Sequence, residues 1–92
     1  MQSHAHPTTA NGQRYMTQLA KHWSHKFEVV HDERSAFIPV GSGVCRMQVT
    51  ADGVGVTIEA ADPQTVARLQ GVVAAHLKRF AFREPELAFD WR

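Results

Sequence analysis

The sequence predicts an α+β domain: a two-layer sandwich in which two helices cover one face of a mainly antiparallel five-stranded sheet. Three observations lead there. Two segments each carry a single apolar stripe at helical spacing, so each needs one sheet face to cover. Between them the apolar residues alternate with period two, broken by short loops such as Asp32-Glu33-Arg34-Ser35, Gly41-Ser42-Gly43 and Ala51-Asp52-Gly53. And 92 residues are enough for one simple, continuous core but not for two domains.

Along the chain, residues 1–10 are polar, contain Pro7, Thr8 and Thr9, and show no periodicity. They are expected to be a flexible leader before a single domain spanning 11–92. Tyr15, Met16, Leu19 and Trp23 then form a helical stripe, with Asn11 or Thr9 as its cap and an end near His25. In the segment KFEVVH, Phe27, Val29 and His31 share one face and Glu28 and Val30 the other. The segment AFIPV follows, where Pro39 marks an edge, a bulge or a strand end. Cys45, Met47 and Val49 point inward in the third strand, and Val54, Val56, Ile58 and Ala60 in the fourth. The Asp52-Gly53 pair between them suits a tight hairpin, because these residues accept positive φ. Asp62 is a good N-cap and Pro63 fits the first helical position. The second stripe, Val66, Leu69, Val73, His76, Leu77 and Phe80, keeps one face for more than four turns, and Glu84-Pro85 stops the helix. Leu87, Phe89 and Trp91 alternate as a closing strand, antiparallel to the strand at Phe27 and expected beside it. The predicted order is α-β-β-β-β-α-β.

Composition narrows the function classes. A net charge of +1 is too near neutral for a dedicated nucleic-acid binder. No apolar run approaches the roughly 20 residues of a membrane helix. MQSHAHPTTANGQ lacks the charged start and apolar stretch of a signal peptide. A lone Cys45 cannot form an internal disulfide, which fits a reducing cytoplasm.

The charges are sorted by element. Arg14, Lys21 and Lys26 lie between Asn11 and Lys26 with no acid among them. Arg68, Lys78, Arg79 and Arg83 lie between Pro63 and Arg83, again with none. The acids fall in strands, turns and ends. Helices sharing one side of the sheet would make that side electropositive and gather anions there. Lys21, Lys26, Lys78 and Arg79 equally suit helix C-termini, where they complement the dipole and keep the surface solvated.

Of six histidines, His22 and His25 can share a helix flank, and His76 lies within the second stripe. Neighbouring helices would bring His22 near His76, with a carboxylate or water completing a metal site. Against that, the chain has no HExxH, no paired cysteines and no carboxylate on either helix, and a core histidine bonded to backbone explains His76 as well. Cys45 reads as an inert buried thiol, Ser24 and Ser42 lack a triad pattern, and Trp23 and Trp91 sit at core-facing positions.

The segments Lys21-His22-Trp23-Ser24-His25-Lys26-Phe27 and His76-Leu77-Lys78-Arg79-Phe80-Ala81-Phe82-Arg83-Glu84, with Arg14-Tyr15 and Phe89-Asp90-Trp91, resemble the small bacterial family of unknown function numbered 2218. The likeness runs from about Arg14 to Trp91. It implies no particular reaction or cofactor; it implies a setting beside iron and siderophore uptake functions. The residues carried over are His22, His25, Lys26, His76, Arg79 and Arg83; with Lys78 they make the expected ligand-binding set. The expected function is a small cytoplasmic binding or accessory module whose basic helical face takes an anionic small molecule or a siderophore-pathway protein. The alternatives are a structural homo-oligomer without ligand, a homodimer or larger, joined through the opposite sheet face at Val30 and Phe37, and a metal-dependent enzyme using His22, His25 and His76.

Overall fold

The computed structural model describes residues 1–92. In chain order the elements are β1 (Gln2–Ala5), α1 (Gly12–Trp23), β2 (Val30–His31), β3 (Ser35–Val40), β4 (Gly43–Val49), β5 (Val54–Ala60) and α2 (Pro63–Phe80). The five strands form one antiparallel sheet in the order β1-β5-β4-β3-β2.

Both helices bury their stripes against the same face of that sheet. Tyr15, Met16, Leu19 and Trp23 of α1, and Val66, Leu69, Val73 and Leu77 of α2, share one cluster with Ala36, Ile38, Val40, Cys45, Met47, Val54, Val56 and Ile58. Burying a side chain such as Leu69 or Ile58 contributes about 1.5–3 kcal/mol, so this shared core, rather than helix propensity, holds the two helices. The sheet's other face is open. There Phe37 lies half-buried beneath the Arg46 guanidinium, 4.9 Å from its ring centre, and Arg46 pairs with Glu59 at 2.6 Å. Val30 stands 69 % exposed.

The helix boundaries follow from local chemistry. The Asp62 carboxylate accepts the Thr65 backbone N–H at 2.7 Å and Pro63 opens α2. Asn11 precedes α1 without capping it, because its amide donates to Glu84 instead. Pro39 falls where β3 is an edge: β2 pairs only with Ala36 and Phe37, so no partner strand needs the N–H that proline lacks. For the same reason the strand expected from Phe27 shrinks to two paired residues.

Both chain termini differ from the expectation. Residues 2–5 are not a free leader but edge strand β1, with Ser3↔Ile58 and Ala5↔Val56 in register. Ser3, Ala5, Pro7 and Thr9 are buried in alternation, in residue types too small or polar to show an apolar pattern. The tail around Leu87, Phe89 and Trp91 is not a strand. Leu87 is buried in the core, while Arg92 exchanges two backbone hydrogen bonds with His4, on the far edge from β2. The tail therefore ends at the outer edge of β1, at the opposite side of the sheet from β2, the strand beside which it was expected. Gly53 also has a different role. It closes the β4–β5 hairpin as expected, but the only positive φ in the chain is at Gly41, +62°, in the two-residue turn between β3 and β4. Gly53 is needed because a side chain there would collide with the Pro7 carbonyl, where the N-terminal segment crosses the hairpin and pairs through Thr8.

Glu84 ties these pieces together. Its carboxylate accepts hydrogen bonds from the Tyr15 hydroxyl, from Thr9 Oγ1 at 2.8 Å and from Asn11 Nδ2 at 3.3 Å. Bonding first to Tyr15, then to Thr9, holds the carboxyl below the usual glutamate range. Burial, and next the bond to Glu84, pushes the Tyr15 hydroxyl up. A depressed carboxyl stabilises the fold fully above the unfolded value of about 4.3, and that stabilisation is lost as pH falls through the lower folded value. Urea unfolding of Glu84→Ala should show a loss of about 1–3 kcal/mol at pH 7, because the Thr9 and Tyr15 hydroxyls are left unpaired. Glu84→Gln should lose less and show a shallower acid limb, which will not vanish because Asp32, Glu59 and Asp62 are also held low. An acid limb unchanged in Glu84→Gln would show that this carboxylate does not anchor the termini.

Candidate ligand pocket between the two helices

Sharing one sheet face makes α1 and α2 neighbours, and at one end of their contact they leave an open cleft. It measures about 600 Å³ and is lined by His22, Trp23, Lys26 and Phe27 from the end of α1 and beyond, by Val40 and Gly41 at the end of β3, and by Arg68, Val72 and His76 from α2. That volume is within the usual range for small-molecule sites. Trp23 is buried, Phe27, Val72 and His76 are half-buried, and His22, Lys26 and Arg68 are exposed. The floor is therefore apolar and aromatic and the mouth polar.

The rings form a continuous arc. His22 and His76 have centroids 5.5 Å apart, His76 and Trp23 5.0 Å, and Trp23 meets Phe27 edge-on at 6.1 Å. His76 is oriented by its own helix: Nδ1 donates to the Val72 carbonyl at 2.8 Å. That bond fixes the proton on Nδ1 and leaves Nε2 for other partners. Lys26 Nζ lies 5.7 Å from the Phe27 ring centre, and Arg68 reaches the Ser42 hydroxyl at 3.4 Å. Neither cation is paired with a carboxylate. The ion pairs are Arg46–Glu59 and Arg92–Asp90, with His6 Nε2 standing 3.6 Å from Asp52, and none of these contacts involves a helix cation. Hydrogen bonds from Thr65 do most to hold the Asp62 carboxylate at the start of α2 below its usual range, and Arg68 lies near enough to help.

The expected ligand-binding set divides in two. His22, Lys26 and His76 converge on the cleft. His25, Lys78, Arg79 and Arg83 do not line it: all four are exposed, Lys78 lies 5.9 Å from the Phe89 ring and Arg83 lies over Phe82. Lys78 and Arg79 occupy the last turn of α2, where they face the negative end of the helix dipole. Arg68 belongs to the cleft and was not in the set. Its signal was present in the spacing, since 68, 72 and 76 stand four apart on one flank of α2. His22 and His76 meet as a two-imidazole pair, and nowhere does the fold gather three or more His, Cys, Asp or Glu side chains fit to hold a metal ion. A second hollow, of about 460 Å³, lies on the open sheet face, around Val30, Phe37, Arg46 and Thr57. No helix is long and apolar enough to cross a membrane.

Comparisons with known proteins agree with this architecture. The model of a family described as an uncharacterised protein conserved in bacteria, DUF2218, matches residues 4–92. The chain is similar to the solved NMR structure of PA4090 from Pseudomonas aeruginosa, with 36 % identity and a TM-score of 0.82, over 99 % of this chain and 94 % of that one. No curated protein matches.

Cys45 lies beneath the helices and takes no part in the cleft; burial pushes its thiol up to about 12. In native protein at pH 8 it should resist iodoacetamide, and it should react fully once urea unfolds the chain, as mass spectrometry would show. Rapid modification of the folded protein would mean that the core opens far more readily than this packing implies.

Proposed function

The chain belongs to the DUF2218 family, and we propose that it is a small binding module whose α1–α2 cleft receives an anionic ligand. One observation carries this reading: Lys26 and Arg68 open with His22 and His76 onto a single apolar-floored cleft, and neither cation is locked in a salt bridge. A cleft with one sign of charge over low-dielectric walls concentrates the opposite charge. No carboxylate lines the cleft and Cys45 is buried away from it, which favours binding over catalysis. An iron-bearing anionic chelate, of the kind siderophore use supplies in the cytoplasm, is one occupant with suitable chemistry.

A second reading draws on a different feature. Val30 and Phe37 are paired across β2 and β3, and Val30 is well exposed on the open sheet face. We propose homodimer formation there as the alternative; sedimentation would show a dimer that Phe37→Asp dissociates.

A thermal-shift screen of haem, ferric chelates, flavin mononucleotide and phosphate tests the first reading, since a ligand of the native state raises the melting temperature. Lys26→Glu with Arg68→Glu should weaken any hit about tenfold or more: a charge-assisted hydrogen bond contributes about 1.5–3 kcal/mol, and 1.4 kcal/mol is tenfold. Lys78→Glu with Arg79→Glu should weaken it less. Affinity should fall as salt rises from about 0.01 to about 0.15 M, over which the screening length shrinks from about 30 to about 8 Å. A hit indifferent to salt and to the cleft reversals would refute the anion site.

A further inference from the structure

We infer that the cleft selects an aromatic carboxylate over a compact hydrated anion such as phosphate. This deepens the anion-site reading above and rests on it.

The lining argues against a small inorganic ion. Phosphate sites surround the anion with converging donors, typically backbone N–H groups at a helix start. Here α1 contributes its carboxyl end, and α2 contributes residues from Arg68 onward rather than its first turn. The cations stand at the mouth, while the walls beneath them are Trp23, Phe27, Val40 and Val72. A hydrated ion held by Lys26 and Arg68 would leave that apolar surface unused. A ligand with an apolar body and an acid group at one end would use both parts.

The ring arc points to an aromatic body. The four rings from His22 to Phe27 stand at successive tilts of 45°, 52° and 80°. Rings at such varied tilts can meet a flat guest by stacking or edge-on, and aromatic pairs gain from these geometries beyond the area they bury. At about 600 Å³ the cleft has room for a two- or three-ring body. The acid group would lie between Lys26, which rests over the Phe27 ring and can swing outward on its flexible stem, and Arg68, whose contact with Ser42 at 3.4 Å is long and easily exchanged. His76, whose Nε2 is left open by the bond from Nδ1 to Val72, also lines the cleft.

The test is calorimetric titration of the full chain with four probes: 2-naphthoate, hexanoate, inorganic phosphate and the neutral 2-naphthamide. Each titration is followed in parallel by Trp23 fluorescence in a Trp91→Phe background. The expected result is that 2-naphthoate binds about tenfold or more tightly than the other three, a gap that corresponds to about 1.4 kcal/mol, and changes Trp23 emission. Phe27→Leu keeps an apolar side chain but removes a ring, so it should narrow the gap between 2-naphthoate and hexanoate with little loss of stability. Equal binding of 2-naphthoate and hexanoate, or no effect of Phe27→Leu, would overturn the aromatic preference and leave the anion site standing. Tighter binding of phosphate would do the same. Equal binding of 2-naphthoate and 2-naphthamide would overturn the anion reading itself, and no binding of any probe would overturn both.

Discussion

Everything in this fold depends on one sheet face serving two helices. Neither amphipathic segment could be stable alone in water, and each has a single apolar stripe. The sheet offers one apolar face, formed by Ala36, Ile38, Val40, Cys45, Met47, Val54, Val56 and Ile58, while its other face carries Arg46, Gln48, Thr57 and Glu59. Both stripes must therefore lie on the same side, and the helices must touch. The cleft follows from that contact. Where the last turn of α1 and the flank of α2 meet above the end of β3, the groups beside the stripes rather than within them come together.

A sheet built this way leaves two edges, and the chain treats them differently. At one edge β2 covers only Ala36 and Phe37, and beyond it the edge of β3 is blunted by Pro39, which has no N–H to offer a foreign strand. On the β1 side the C-terminal tail reaches back so that Arg92 and His4 satisfy each other's backbone groups. The residues that make this closure possible are polar: Thr9 and Asn11 before α1, Tyr15 within it and Glu84 after α2, all meeting at one carboxylate. Residues remote in sequence are joined there by hydrogen bonds rather than by apolar area, so this is the part of the fold whose strength depends most directly on ionisation.

That distinction explains what could be read from the sequence. The helices and strands β3, β4 and β5 declared themselves because burial there is achieved largely by Leu, Val, Ile, Met and Trp at the spacing each element requires, whereas both residues of β2 are exposed. β1 did not, because Ser3, Ala5, Pro7 and Thr9 are buried without being large or apolar, and alternation in small or polar side chains is invisible to a hydrophobic pattern. The tail misled in the opposite way. Leu87, Phe89 and Trp91 alternate like a strand, but they pack against the core through their side chains, and only Arg92 bonds to a strand, β1 rather than β2. Gly53 misled through its dipeptide: Asp-Gly implied a backbone conformation, whereas the glycine is there to let Pro7 pass.

The candidate site was legible to the same degree and for the same reason. His22, Lys26 and His76 were found because they border the stripes, and stripe borders are where two packed helices meet. Arg68 stands apart from the dense basic cluster at the end of α2, and charge density is a poor guide to position on a helix. Lys78 and Arg79 follow His76 by two and three residues, which turns Lys78 to the far side of α2 and leaves both outside the cleft. Arg68 precedes His76 by two full i, i+4 steps, and so lies on its flank. One set of cations thus serves two purposes: those in the last turn of α2 answer the helix dipole, and those beside the stripes face the cleft. What separates the two is not how much charge a helix carries but the angle at which each residue leaves it.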